Sequence, residues 1–375
     1  MNRWIKNSKK GMAVLGAVAF MLVAGWQFGV SGTEAVFSET EVALENAQDL
    51  AVFSVSKELK GEPIVDIPIF STGNVYLMVL DTFLIVQTKE EKFFKIYSTQ
   101  TYQLLGEFGM EGDGPSEFRF PYLSKEIWNS GKSLTLNQIY DYRLNGHYTV
   151  SIPNVLKGGA FERNPIREIN SHISRFHFKN DNYLWCTTDD AGRFFHYDYH
   201  TGRSTIIPYI PKTEFQIVDK DDLSLVYRSA VMANEQRNLI AAAPYLLGQI
   251  DFFDMKGNYL RTTHFEKSDE LKDALLTRKT NPNLFDTKVF ISDLDATHDL
   301  IYGLSRNNFG KNINNPQVRS PHKILVFDWE GDPVKEFILG DGRYVFSIAV
   351  DEKNKRIFAY CPEEEENHLV VYNYP

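Results

Sequence analysis

The chain has 375 residues, of which 43% are hydrophobic and 14% aromatic, enough for a large core, and its 27 Phe and 19 Tyr suit pleated, half-buried surfaces. Its net charge of −9 becomes −13 once residues 1–32 are set aside, since Arg3, Lys6, Lys9 and Lys10 lie there and no acid precedes Glu34; such a surface repels phosphate backbones and excludes nucleic acid as the partner. The two cysteines, Cys186 and Cys361, have no CxxC or Cys/His spacing, which excludes a structural zinc site.

In chain order, residues 1–10 are basic and residues 11–25 carry no charge, the two leading regions of an export signal. Val30-Ser31-Gly32 supplies small residues for cleavage after Gly32. The uncharged run reaches Thr33, long enough to span a bilayer, so the second reading is an uncleaved anchor holding the chain to the inner membrane through residues 11–30. In both readings the basic end stays cytoplasmic and the remainder crosses, giving a periplasmic protein or one anchored facing the periplasm. No cysteine sits near the end of the apolar run, which excludes a lipoprotein anchor. Residues 33–50 read as a linker, with a short helix over 39–49 announced by the capping-box spacing of Ser38 and Glu41.

Residues 51–375 repeat a phrase. Its clearest form is Ile324-Leu325-Val326-Phe327-Asp328-Trp329-Glu330-Gly331-Asp332-Pro333-Val334-Lys335-Glu336-Phe337: an apolar run, a turn carrying Asp and Gly, and an alternating run, which together spell a β-hairpin. Residues 250–260 and 195–202 say the same, and residues 95–102 and 369–373 are looser copies. Each phrase follows a more buried strand, with cores at 83–86, 134–136, 183–186, 238–241, 300–303 and 357–360. Spacing near 50 residues predicts an all-β, six-bladed propeller. In the second unit, Tyr140-Asp141 is the turn, or the strand runs on through Asn145-Gly146. The last unit ends after its third strand, so the segment Ala51–Val65 is expected to complete it and close the ring, because an open ring leaves exposed edges. That places Cys186 in the third blade and Cys361 in the sixth, too far apart for a disulfide. Ser268 followed by residues 269–276 reads as a capped helix between the fourth and fifth blades, ending before Asn281-Pro282.

The loop Gly106–Phe118, rich in glycine and followed by Pro115 and Glu117, and the phrase Val326-Phe327-Asp328-Trp329-Glu330-Gly331 resemble the TolB-like six-bladed β-propeller proteins of bacterial cell envelopes. The resemblance spans roughly residues 60–375 and implies the fold rather than an activity, since that family has no established one to carry over. Its relatives are often lipoproteins, and this chain lacks the anchoring cysteine. Broader six-bladed relatives include metal-dependent lactonases, and no residue set here matches a lactonase metal site.

Chemistry-bearing motifs are sparse. Gly109–Pro115 has neither the Lys-Ser/Thr pair nor the following helix that phosphate needs, so it reads as a tight crossover between the first two blades, with Glu117 bonding the backbone of the turn. His172, His177, His196 and His200 crowd one blade, but a strand context separates them and opposite parity splits the first two. Asp189-Asp190 and Asp219-Lys220-Asp221-Asp222 are acidic turns without a complete calcium loop, and Glu363–Glu366 is a solvated hairpin tip. The loop Arg306–Lys323 is the exception: four bases, five Asn and no acid in an acidic protein. Arg306, Lys311, Arg319 and His322 are its ligand-binding candidates, because guanidinium groups grip carboxylates and phosphates and Asn suits sugar hydroxyls. No catalytic triad or carboxylate pair stands out. The expectation is an exported scaffold binding a protein or a glycan at one mouth of the ring, without a cofactor. The alternative is a divalent-metal envelope hydrolase or lyase working in the central channel, marked by inward Asp, Glu, His or Asn from three or more blades. A mouth filled by aromatics marks the scaffold, and a purely structural, self-associating role is the third reading.

Overall fold

The structure is a computed structural model that describes residues 50–375 except 66, 68, 70–74, 124, 126–134, 142, 166–172, 181–182, 189–193, 199–200, 208–225, 227, 278–286, 314 and 365–367. The signal or anchor over 1–32, the helix over 39–49, His172, His200 and both inner acidic turns lie outside the described residues.

The described chain is an all-β propeller. Two short strands come first, β1 (Ser56–Leu59) and β2 (Gly61–Pro63). The first sheet holds β3 (Tyr76–Leu80), β4 (Phe83–Gln87), β5 (Lys92–Ser98), β6 (Leu104–Glu111) and the two-residue β7 (Glu117–Phe118). The second holds β8 (Pro121–Leu123), β9 (Thr135–Asp141), β10 (Gly146–Ser151) and β11 (Glu162–Pro165). The third holds β12 (Ile173–Asn180), β13 (Tyr183–Thr188), β14 (Phe194–Asp198) and β15 (Arg203–Ile207). The fourth holds β16 (Ser229–Asn234), β17 (Leu239–Pro244), β18 (Gln249–Asp254) and β19 (Tyr259–His264). The fifth holds β20 (Lys288–Ala296), β21 (Leu300–Phe309), β22 (Lys323–Asp328) and β23 (Pro333–Leu339), and the sixth holds β24 (Ser347–Asp351), β25 (Arg356–Tyr360) and β26 (Leu369–Asn373). In the second sheet the turn falls after Asp141, and the next strand begins at Gly146. The helix between the fourth and fifth sheets runs Asp269–Thr277, and a shorter one, Ile152–Val155, follows β10.

The recurrent phrase folds as it does because one acid serves each turn. Asp328 accepts the Asp332 amide at 2.8 Å, Asp254 accepts those of Lys256 and Asn258 at 2.8 and 2.9 Å, and Asp198 accepts that of Thr201 at 3.3 Å. Gly331, Gly257 and Gly202 then take φ of 88°, 81° and 65°, a region L side chains avoid. The looser copy at 95–102 substitutes Ser98, whose hydroxyl accepts the Gln100 and Thr101 amides, and puts Tyr102 at φ 59°.

Neighbouring sheets meet face to face over continuous cores. Tyr302, Val326 and Phe337 of the fifth sheet pack with Ile348, Ile357 and Tyr372 of the sixth. Leu77, Leu84 and Val86 of the first pack with Ala349, Phe358 and Val371 of the sixth. Phe94 and Phe108 meet Tyr148 and Val150, joining the first and second sheets. Phe194 of the third contacts Phe253 of the fourth at 4.9 Å between ring centroids.

The two N-terminal strands serve different sheets. β2 pairs antiparallel with β26 and gives the sixth sheet its outer strand (Gly61 opposite Tyr372), whereas β1 pairs parallel with β23 and adds a fifth strand to the fifth sheet (Ser56 opposite Glu336). Gly61 is clamped on both sides: its N–H donates to Asp341 at 3.1 Å and its carbonyl accepts from Arg343 at 3.3 Å. A Cβ there would collide with Val370, Asp341 and Tyr372. Gly61→Val should therefore unseat β2 and cost about 1–3 kcal/mol, the range for overpacked sites, read as a lower urea midpoint with an unchanged slope.

Candidate functional site

The first strands of the sheets surround the axis, and the fold gathers its unusual chemistry there. Lys125 follows β8 in the second sheet. Its ammonium donates to Asp293 Oδ2 on β20 of the fifth sheet and to the Ile348 carbonyl on β24 of the sixth, both at 2.6 Å. Both charged side chains are buried, at 6% and 9% exposure. Asp293 and Asp295, two apart on one strand, face the same way. Asp293 accepts the Ile348 amide at 2.9 Å and Asp295 accepts the Val350 amide at 2.7 Å, so the pair replaces strand hydrogen bonds that β24 lacks on that side. Asp295 keeps some accessible surface yet sits deep among protein atoms. Loss of solvation pushes its pKa up to about 6, with Lys125 and two backbone amides pulling the other way.

Three sheets also contribute a row of aromatics. Tyr76, at the start of β3, meets Tyr122 of β8 edge-on at 5.5 Å and Phe346, just before β24, at 6.1 Å. Tyr76 and Tyr122 are half-buried and Phe346 is buried. Beside Phe346 lies Arg306, its guanidinium carbon 5.7 Å from that ring and 5.1 Å from Tyr344.

The four candidates of the basic loop separate here. The loop is shorter than the sequence suggests, because β21 continues through Phe309 and places Arg306 on a strand. Arg306 is 4% exposed and donates to Ser292 Oγ at 2.9 Å and Tyr344 Oη at 2.6 Å. His322 is 1% exposed, packs edge-on against Tyr344 at 5.6 Å, and accepts the Val345 amide at Nδ1. Burial, then the charges of Arg306 and Arg319, hold its pKa well below the usual imidazole range, so the ring is neutral. Arg319 also reaches Tyr344, at 5.4 Å, but its guanidinium is engaged: a fork onto both Glu363 oxygens at 2.9 Å and bonds to the carbonyls of Ile313 and Gly342. Lys311 stands apart, exposed in the turn Gly310–Asn312 and 5.7 Å from the Phe309 ring. The structure thus brings together Arg306, Arg319 and His322 around Tyr344, and leaves Lys311 outside.

Other motifs fold into supports. Glu117 accepts the Gly114 amide at 2.8 Å and so pins the glycine-rich crossover, and Asp141 accepts four backbone amides, those of Arg119, Phe120, Arg143 and Leu144. His177 and His196 fall on β12 and β14, both in register with Trp185 of β13. Cys361 is a buried free thiol whose pKa burial pushes far up, so it is inert near neutral pH. A shallow depression of about 310 Å³ lies at the outer edge, lined by Ala51, Thr262, His264 and Asp332 among others, remote from the axis. Among the described residues no three His, Cys, Asp or Glu side chains gather closely enough to hold a metal ion, and no helix is long and apolar enough to cross a membrane.

The model of the TolB-like 6-blade propeller-like family matches residues 75–353. The chain belongs to that family. Among solved structures, this TolB-like chain is similar to a member of the DUF4221 family from Bacteroides vulgatus ATCC 8482, at TM-score 0.53 and 11% identity over 86% of this chain and 97% of the other. It is also similar to a protein designated as exported from Bacteroides fragilis NCTC 9343, at TM-score 0.50 and 12% identity over 87% and 96%. At such identities the likeness extends to the fold alone. No curated protein matches the sequence significantly.

Sequence reasoning passed over Lys125, Asp293, Asp295 and the aromatic row. One signal was available: Asp293 and Asp295 share a strand parity inside the apolar stretch Val289–Ala296, where exposed charge does not belong. Nothing around Lys125 or Tyr76 announces a partner hundreds of residues or several sheets away.

Two predictions follow from the axis. Lys125→Ala leaves Asp293 buried and unpaired and should cost about 3–5 kcal/mol in urea unfolding. Because the Asp295 pKa is raised in the folded state, its protonation favours folding; its contribution is full below its ordinary value of 3.8 and is lost as the pH rises through about 6. The unfolding free energy of wild type relative to Asp295→Asn should therefore grow as the pH falls through that window, whereas a flat difference would show that Asp295 does not titrate there.

Proposed function

We propose that residues 51–375 form one ring of six blades, one per sheet, that acts in the cell envelope as a non-enzymatic scaffold and takes a protein or glycan ligand at the aromatic mouth. The observation that carries this reading is the row Tyr122–Tyr76–Phe346, contributed by three sheets around the axis. Aromatic side chains that keep one face or a phenol accessible offer large contact area at small entropic cost, as ligand faces require. Packing of the fifth sheet on the sixth and of the sixth on the first, with β2 filling the outer place of the last sheet, supports closure into one ring. The Lys125–Asp293 pair crossing from the second sheet to the fifth supports a stiff platform rather than an open channel. Export is supported by the basic and apolar residues 1–25 and by the designation of one structural neighbour.

The test is thermal melting of the purified protein against a panel of envelope glycans, with and without a chelator. A glycan that binds the folded state raises the midpoint by mass action, and Tyr76→Ala should abolish at least half of that rise. A fall on chelation that one divalent metal restores would instead favour a metal-dependent hydrolase or lyase over the scaffold. If neither glycans nor metals shift the midpoint, capture with wild-type bait that fails with Tyr76→Ala bait would assign the mouth to a protein ligand.

A further inference from the structure

The two arginines of the former loop differ in one respect that matters. Arg319 has its carboxylate in Glu363, whereas Arg306 has none among the described residues: its bonds go to two neutral hydroxyls, those of Ser292 and Tyr344. Its Nη2 is buried without any hydrogen-bond partner. A guanidinium stays charged at every physiological pH, and burying one without an anion is costly. Close by, packed edge-on against the same Tyr344 ring, His322 Nε2 is also buried and unpartnered. Since His322 Nδ1 accepts the Val345 amide, the neutral ring carries its proton on Nε2, so both open atoms are donors.

We propose that Arg306 and His322 receive the carboxylate of an acidic sugar whose ring stacks on the aromatic mouth. This deepens the preceding reading and rests on the mouth being the ligand face. The charge count selects a monoanion: Arg306 supplies one positive charge, His322 none, and Arg319 is cancelled by Glu363. The neighbours select a sugar. Phe346 lies against Arg306 and touches Tyr76, which touches Tyr122, so a pyranose laid on these rings has its carboxylate directed at the guanidinium and its hydroxyls near phenols.

Arg306 packs against Tyr344 and Phe346, and His322 against Tyr344, so uptake needs those two aromatic side chains to swing aside. The backbone there is held, with Asp341 accepting from Gly61 and Tyr372 and the Gly342 carbonyl accepting from Arg319, whereas the bond from Val345 to His322 is long, at 3.3 Å. The anion would give Arg306 Nη2 and His322 Nε2 the charge-assisted partner they lack.

The probe is a short oligogalacturonide and its methyl ester, which keeps the rings and removes the charge, titrated calorimetrically into the full chain. The free acid should bind roughly 10- to 100-fold more tightly than the ester, the range for losing a charge-assisted bond. Arg306→Gln should erase that preference, and Lys311→Ala should keep it. Should Arg306→Gln fail to fold, the wild type still decides: the His322 ring nitrogen resonances should move with the free acid and stay in place with the ester. Equal binding of acid and ester by wild type overturns the carboxylate site and leaves the aromatic mouth standing. Binding of polyglutamate but not of the oligosaccharide, lost in Arg306→Gln, overturns the sugar assignment. If neither compound binds and Tyr76→Ala changes no ligand response, the mouth itself is refuted.

Discussion

A lysine ammonium can be buried on the axis of a ring of sheets only beside a carboxylate. Lys125 and Asp293 meet that condition from the second and fifth sheets, and the rest of the inner wall is arranged around them. First strands of adjacent sheets pack without a shared hydrogen-bond ladder, so their amides need other acceptors. Asp293 and Asp295 provide them to Ile348 and Val350 and thereby lock the fifth sheet to the sixth. The same carboxylate thus neutralises a charge from across the ring and caps a neighbouring strand. Such pairs contribute little net stability but penalise any arrangement that separates them, which suits a fold whose sheets are otherwise interchangeable.

Buried charge elsewhere in the molecule divides into settled and unsettled cases. Arg319 with Glu363, and Arg356 with Asp351 at 2.7 Å, are closed accounts of donor and acceptor. Arg306 is not, although it is buried while Arg319 and Arg356 are only partly so. The contrast lies within one stretch of chain around one ring, Tyr344, which makes a general packing defect a poor explanation.

The repeated turn was legible because its physics is local. Asp at the start of the turn, and Gly at positive φ in its clearest copies, need no distant partner to identify them, and the buried second strands carry continuous apolar runs. The family resemblance around Gly106–Phe118 was legible for the same reason: Glu117 and the glycines act within a few residues of each other. The ends of β21 were not, since Arg306-Asn307-Asn308 looks like a loop until Val289 pairs with Asn308 across the sheet. The candidate residues showed their types but not their fates. Only the fold reveals that Arg319 has Glu363, that Arg306 lacks an equivalent among the described residues, and that Lys311 is exposed beside Phe309. Long-range pairs such as Lys125 with Asp293, and the parallel addition of β1 to β23, leave no periodic trace at all.

The strap formed by β1 and β2 carries a consequence for assembly. Its partners β23 and β26 lie about 280 and 310 residues further along the chain, so the contacts that finish the fifth and sixth sheets join an early-made segment to much later ones. Chains emerge from the ribosome amino end first, which leaves this segment without a partner while the intervening sheets form. An unpaired strand is a template for wrong pairing, and the sequence guards against it: Lys57, Glu58, Lys60 and Glu62 place four charges among the eight residues Ser56–Pro63. Completion of the fifth and sixth sheets is therefore a late event, possible only once β23 and β26 have been made.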